Sequence, residues 1–542
     1  MYSLPFSLCL LLLSVLDVVE FGQALPQQWQ HQGDAGRVKR RSAEVPIMRE
    51  RRQAAGDMQK RGWGGAVGLG DSEDLFYSVA LTVGSTTTAF NLDTGSSDLW
   101  VTSSDCQSGA CKNSTWPQYP LSTFSSADTD VLMQYGDSTS GTSASGPVGK
   151  DTVTLGGLSI QSQPFAAVNK TDSSVVVNND AAGIFGLGFP SESQVQAAVV
   201  NQQFNTPTTT DEFVATTSEN GPLLSRLAMT GQLDQPMFTV TLQRDTFDVG
   251  GNPGVLTVGK LPDGVDNSSL TWVPVRLYAP RQGGLDAPSF APDEVEIGGV
   301  YLDGQRLADS TMTGVSAGTV SALIDTGNSI LRGPADVVDN IFTTVSPSYD
   351  ATDANSVPSY PCNTAHTLAY QIGGQMFPVD PRDFTVQLKD GDATDCYAGN
   401  LVSTDPPAVG GLFSWSLGDP FFKSNLIAFY YGNLTHPSQD PPRIGFMSLV
   451  PSDADTKLQA AVSAAQQNNG IFASTSDNPL AATAHIASTT YSMSAPTASQ
   501  TTRATQTQSS KASSGGYTAS RVHSGSLLVT ALACVSVLFH LA

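Results

Sequence analysis

Apolar residues in this chain recur mostly at every second position in short runs. Tyr77-Ser78-Val79-Ala80-Leu81-Thr82-Val83 alternates apolar with small or polar side chains, Gly84-Ser85 follows as a turn, and Ala89-Phe90-Asn91-Leu92 resumes an extended pattern. The same punctuation returns in Val153-Thr154-Leu155-Gly156-Gly157, Phe238-Thr239-Val240-Thr241-Leu242 and Val295-Glu296-Ile297-Gly298-Gly299. Few amphipathic helical runs interrupt it. From about residue 71 to 450 the pattern predicts a mainly β protein.

The ends of the chain read differently. Near the start, the apolar run Leu8 to Leu13 is too short to span a bilayer and is followed by Gly22-Gln23-Ala24, so residues 1–24 read as a secretory signal peptide that lacks the usual basic start. Residues 527–542 are apolar, interrupted only by His540. Before them lie a polar spacer and the small residues Ser513, Ser514 and Gly515, one of which would carry a glycosylphosphatidylinositol (GPI) anchor once the tail is removed. From about Ser474 to Ser520, Ser, Thr, Ala and Gln dominate and aromatics almost vanish; such a segment cannot bury a core. Residues 453–526 are therefore expected to be an O-glycosylated stalk and attachment region, with the tail at 527–542.

Charge sharpens this division. The chain has 542 residues, 14% of them charged, with 49 acidic against 27 basic side chains and a net charge of −22. Affinity for phosphate rests on Lys and Arg, so a general nucleic-acid binder is excluded. Residues 25–61 reverse the sign: nine basic residues stand against four acidic ones, clustered as Lys39-Arg40-Arg41, Arg51-Arg52 and Lys60-Arg61. With two further acids in residues 1–24, the first 61 residues carry +3 and the remainder −25. Residues 25–61 read as a propeptide released by a dibasic-processing protease after Lys60-Arg61.

Two of the six cysteines, Cys9 and Cys534, fall in the terminal segments. The other four permit three pairings, among which proximity favours Cys106–Cys111 and Cys362–Cys396. They form no C-x-x-C pair and lack His-ligand spacing, so no metal is expected. Asn113, Asn169, Asn267 and Asn433 each begin an N-glycosylation sequon.

The sharpest signal is an internal repeat. Leu92-Asp93-Thr94-Gly95-Ser96-Ser97-Asp98-Leu99 aligns with Ile324-Asp325-Thr326-Gly327-Asn328-Ser329-Ile330-Leu331. An apolar-Gly step follows each Asp at the same distance: Phe185-Gly186 lies 92 and 93 residues after Asp93, and Leu417-Gly418 lies 92 and 93 after Asp325. Two lobes built on one plan are implied. An Asp at the end of an apolar strand is driven inward, and the following Gly permits a tight turn. Two such carboxylates facing across a pseudo-twofold axis cannot comfortably both ionise, so they share a proton. The ionised member can then take a proton from water while the protonated one donates to a carbonyl under attack.

From Leu75 to Val450 the chain resembles the pepsin-family aspartic proteases. The resemblance rests on Asp93-Thr94-Gly95-Ser96-Ser97 with Leu99-Trp100, Gln134-Tyr135-Gly136, Gly183-Ile184-Phe185-Gly186-Leu187-Gly188, Asp325-Thr326-Gly327, Leu417-Gly418-Asp419 and Ile444-Gly445-Phe446. It implies an all-β, bilobal fold with pseudo-twofold related lobes, 62–245 and 246–452, and an active-site cleft between them. Asp93 and Asp325 would hold the attacking water, Thr94 and Thr326 would cross-link their loops, and Ser96 would bond the outer oxygen of Asp93. Tyr135, in a flap from Val131 to about Ser143, would close over the substrate with its phenol facing Trp100. Both cysteine pairs sit where the family commonly has disulfides.

One departure is Asn328, which stands where a hydroxyl residue is usual. Its amide can also donate, so retained activity with altered titration of the aspartate pair is expected. The resulting expectation is an acid-preferring endopeptidase, without cofactor and monomeric. It would cleave proteins or peptides and be GPI-anchored at the plasma membrane or cell wall like the fungal yapsins. The alternative is a catalytically silent pepsin-like fold serving as a surface-binding glycoprotein.

Overall fold

The computed structural model describes residues 66–479, except 73, 137–140, 178–180, 204–216, 253, 277–293, 313–319, 405–413 and 436–438. The polar stretches near 201–220 and 279–292 fall largely outside them. So do the signal peptide, Lys60-Arg61, Ser513, Ser514, Gly515 and the apolar tail.

The alternation around Tyr77 forms a strand, Phe76–Val83, whose odd-numbered positions are buried and whose even-numbered positions are half-buried. It turns back into Thr86–Asp93, the strand that ends in the first aspartate. That strand runs parallel to Gly183–Gly186, which in turn pairs antiparallel with Leu99–Thr102. The second half repeats the unit: Val320–Ile324 runs parallel to Trp415–Leu417, which pairs antiparallel with Leu331–Pro334. Leu92 stands opposite Phe185, and Ile324 opposite Leu417. The equal spacing in the sequence is thus a shared strand register, with the residue before each Asp facing the apolar residue of its Gly step.

Each unit sits in its own sheet, ten-stranded in the first lobe and eight-stranded in the second. A third sheet of six strands joins them, drawing on 66–68, 237–241, 255–258, 271–274, 425–430 and 443–448. At its centre Met237–Thr241 pairs with Asn425–Tyr430, and Phe238 stacks on Phe429 at 4.6 Å between ring centroids. The lobe boundary expected at residue 245 falls inside this sheet, between the paired strands 237–241 and 255–258. The fold is mainly β and pepsin-like, and the lobes share a common floor. The half-cystines are joined as Cys106–Cys111 and Cys362–Cys396.

The stalk expected from residue 453 needs correction at its start. Ala454–Gln467 is a helix that buries Leu458, Ala461, Val462 and Ala465 and packs on Pro381–Phe384. Beyond it Phe472 stacks on Phe247 at 3.9 Å. Ala473–Ser474 pairs with Thr246–Phe247, and Ser476–Asp477 pairs with the strand Gly70–Ser72. An Ala- and Gln-rich stretch looks uncommitted in composition. Here a narrow apolar stripe centred on Leu458 and Val462 was enough to seat a helix.

Charged groups are buried beneath the same region. Arg244 clamps Asp383 through two bonds of 2.6 Å, Arg382 bonds Asp380 at 2.8 and 2.6 Å, and Lys423 lies 3.2 Å from Asp74. Asp74 and Arg244 lie within 62–245, and Asp380, Arg382, Asp383 and Lys423 within 246–452. Each bond is paired and charge-assisted, which is the condition for tolerating buried charge.

Candidate active site

The two Asp-Thr-Gly loops meet tip to tip. Thr94 Oγ1 donates to Ile324 O at 2.8 Å and accepts from Thr326 N at 3.0 Å; Thr326 Oγ1 donates to Leu92 O at 2.8 Å and accepts from Thr94 N at 3.1 Å. Both threonines are buried. Each hydroxyl therefore uses its donor and acceptor capacity on the opposite lobe, which fixes the relative placement of the aspartates.

Between the loops, Gly95 N–H donates to Oδ1 of Asp93 at 2.9 Å and to Oδ1 of Asp325 at 3.1 Å. Gly327 N–H donates to Oδ1 of Asp325 at 2.8 Å. A Cβ on Gly95 would collide with the Asp325 carboxylate, and one on Gly327 with that of Asp93. Glycine is required here for space. Two inner carboxylate oxygens held by backbone donors, of which Gly95 N–H is shared, leave their outer oxygens for other groups.

The outer oxygens differ. Ser96 Oγ donates to Oδ2 of Asp93 at 2.5 Å. Asn328, three residues after Asp325, is buried and turned away: its Nδ2 donates to Ser416 Oγ at 2.8 Å, and its Oδ1 accepts from Ile330 N and Arg332 Nε, both at 3.3 Å. The amide that was expected to donate near the aspartate pair is committed to structure instead.

Electrostatics follow this asymmetry. Burial raises Asp93 above the usual carboxylate range, opposed by the bonds from Ser96 and Gly95. Asp325 keeps some surface open to solvent but lies deep among protein atoms. Burial, and then the neighbouring Asp93 charge, push it up to about 8. Each charge disfavours ionisation of the other, so the arrangement favours a shared proton, with Asp93 the better placed to hold the negative charge. Such a pair can deprotonate a water and protonate a carbonyl in the same step.

The flap strands are Ser125–Tyr135 and Thr142–Leu155, with Tyr135 opposite Thr142. Gly136 follows at φ +85°, a conformation that favours glycine, and 137–140 lie outside the described residues. Trp100, fully buried, donates its indole N–H to the Tyr135 hydroxyl at 2.9 Å. Burial, with the Asp98 and Asp93 charges nearby, keeps that phenol protonated. Among the sequon residues, Asn169 and Asn267 are exposed, Asn433 is half-buried, and Asn113 ends the short helix Gly109–Asn113. No cluster of potential metal ligands occurs among the described residues.

Three features had no expectation attached: the shared Gly95 donor, the buried ion pairs, and the carboxylate of Asp98. Asp98 lay in view within the repeat, where its counterpart is Ile330. That mismatch was the available signal.

A family described as Eukaryotic aspartyl protease matches residues 76–436. The chain belongs to this family, and its class is that of an aspartic-type endopeptidase. It is 26% identical over 397 residues to an aspartic protease of Phaffia rhodozyma, covering 72% of this chain and 80% of that protein. It is 29% identical over 364 residues to rhizopuspepsin-4 of Rhizopus niveus, covering 66% and 76%, and 26% identical over 363 residues to pepsin A of Rhinolophus ferrumequinum, covering 66% and 80%.

Proposed function

We propose that Asp93 and Asp325 are the catalytic pair, hydrolysing peptide bonds in proteins through a water held between them. The observation that carries this reading is the pair of aspartates, one buried and one partly open to solvent, linked by one N–H donor and locked by reciprocal threonine bonds. Asp93 would act as base and Asp325 as acid, with Tyr135 covering the substrate. The singly protonated pair is populated in acid, and the raised Asp325 extends its range toward neutrality.

The finer reading is a GPI-anchored, yapsin-like enzyme of the cell surface, monomeric and N-glycosylated at accessible sequons. It rests on the terminal segments and on the −25 charge left after the first 61 residues. A basic propeptide would cover an acidic enzyme at neutral pH and loosen as carboxylates protonate, with processing after Arg61 releasing it.

Cleavage of a denatured protein at acid pH, sensitive to pepstatin and abolished by Asp93→Asn, is the expected result. A well-folded protein without such cleavage would instead support a silent binding role. Phospholipase release of the protein from cells tests the anchor, and full activity at neutral pH of a form still starting at Leu25 would exclude propeptide inhibition.

A further inference from the structure

Asp98 is five residues after Asp93 on the same segment and two before Trp100. It is buried, yet it makes no contact with the aspartate pair among its hydrogen bonds. Its Oδ1 accepts from Ser193 Oγ at 2.6 Å and Val195 N at 3.0 Å, and its Oδ2 accepts from Gln194 N at 2.9 Å. Ser193 Oγ in turn accepts from Gln196 N at 2.9 Å. These donors open the helix Gln194–Gln203. A carboxylate delivered from a distant segment thus caps the first turn, where backbone N–H groups lack partners.

The capped helix packs along the flap strand Ser125–Tyr135. Its Val195 and Val199 share an apolar cluster with Val131 and Met133 of that strand and with Trp100, against which Tyr135 also packs. Two routes therefore join the catalytic segment to the flap. One is the direct bond from Trp100 to Tyr135; the other runs from Asp98 through the helix to the strand that carries Tyr135. At the corresponding position of the second half stands Ile330, whose side chain cannot accept a hydrogen bond, and the helix Asp419–Ser424 that follows the Leu417-Gly418 step has no side-chain cap.

We propose that Asp98 is a positioning residue for the reaction: by capping the helix Gln194–Gln203 it holds the flap strand, and so Tyr135, in register with the aspartate pair. The inference rests on the reading of Asp93 and Asp325 as the catalytic pair. Replacing the carboxylate by an amide of equal size leaves one acceptor oxygen where two served three donors. The helix start then shifts, and the flap with it.

The test is a double-mutant cycle on the full-length protein, measuring kcat/KM on a quenched peptide substrate. Asp98→Asn is expected to lower kcat/KM about 10-fold, with kcat and KM both changed, as for elements that close over substrate. In a Tyr135→Phe background, where the phenol is already missing, the same change is expected to cost less than about 3-fold. A merely structural role would give the full loss in both backgrounds, and that additivity overturns the proposal, as does an Asp98→Asn enzyme of unaltered kinetics. Should Asp98→Asn fail to fold, Ser193→Ala removes one donor and enters the same cycle, where additivity is equally fatal. Activity persisting in Asp93→Asn would defeat the catalytic reading itself, whereas an inactive Asp93→Asn with an additive cycle would defeat only the role of Asp98.

Discussion

The two halves of the site start from the same strand register and the same Asp-Thr-Gly, yet they finish differently. In the first half Ser96 turns inward and bonds the outer oxygen of Asp93. In the second, Asn328 turns away to Ser416 and Arg332, and among the described residues the donors to Asp325 are the backbone N–H groups of Gly95 and Gly327. The threonines between them remain symmetric. What the fold repeats is the framework that brings the carboxylates together; what it varies is the environment that tells them apart, and a pair dividing the roles of base and acid needs that difference.

The largest expected effect removes the comparison altogether. Asp93→Asn and Asp325→Asn should each cut kcat by about 10⁴-fold while leaving the urea midpoint unchanged or higher, since a buried charge is removed. Retained activity in either would show that the two carboxylates do not act as a unit.

Next in size is the symmetric part. Thr94→Ala and Thr326→Ala each delete a buried hydroxyl with two partners on the other lobe, and each should cost about 1–3 kcal/mol by denaturant titration. Losses differing by more than about 1 kcal/mol would mean that the lobes share the clamp unequally.

The asymmetric part appears in the pH profile of kcat/KM. The acid limb follows ionisation of the pair, which Ser96 favours by donating to the charged form of Asp93. Ser96→Ala should raise that pKa and move the acid limb upward by about 1–2 pH units, the equivalent of a charge-assisted bond of about 1.5–3 kcal/mol. Asn328→Ala should leave both limbs in place, because its amide serves Ser416.

The smallest effect would restore symmetry. A hydroxyl donor in Asn328→Thr would stabilise the charged form of Asp325, lower its pKa from about 8 and draw the alkaline limb downward by about 0.5–1 unit. An unchanged profile would show that residue 328 has no access to the outer oxygen.

The buried ion pairs bear on the same pH range. Arg382 and Arg244 hold the Asp380 carboxyl below its usual range, against the effect of burial. A carboxylate depressed in the folded state stabilises the fold above its unfolded pKa, and that contribution is lost only as pH falls through the lower folded value. The pairing of Asp380 with Arg382, and with Arg244 at 3.9 Å, therefore persists to lower pH than it would for a carboxylate with an ordinary pKa.

Much of this was legible beforehand because it is local or repeated. Alternation around Tyr77, 153–157 and 295–299 gave strands, and the spacing from each Asp to its Gly step anticipated a register that the backbone ladder then made physical. The direction of Asn328 was not legible, since an amide can bond either way and only its neighbours Ser416 and Arg332 decide. The helix Ala454–Gln467 was missed for a related reason: Ala and Gln commit to no environment until a partner surface is present.

The sequence by itself determined that two Asp-Thr-Gly units end apolar strands and that charge reverses after residue 61, because strand period, turn chemistry and net charge are properties of the chain alone. Only the tertiary structure decided which carboxylate has an extra donor, that Asp98 reaches a helix almost a hundred residues away, and that Arg244, Asp383 and Lys423 pair in the interior. Hydrogen bonds and pKa values depend on distances of a few ångströms between groups far apart in the chain, and those distances exist only once the lobes have packed.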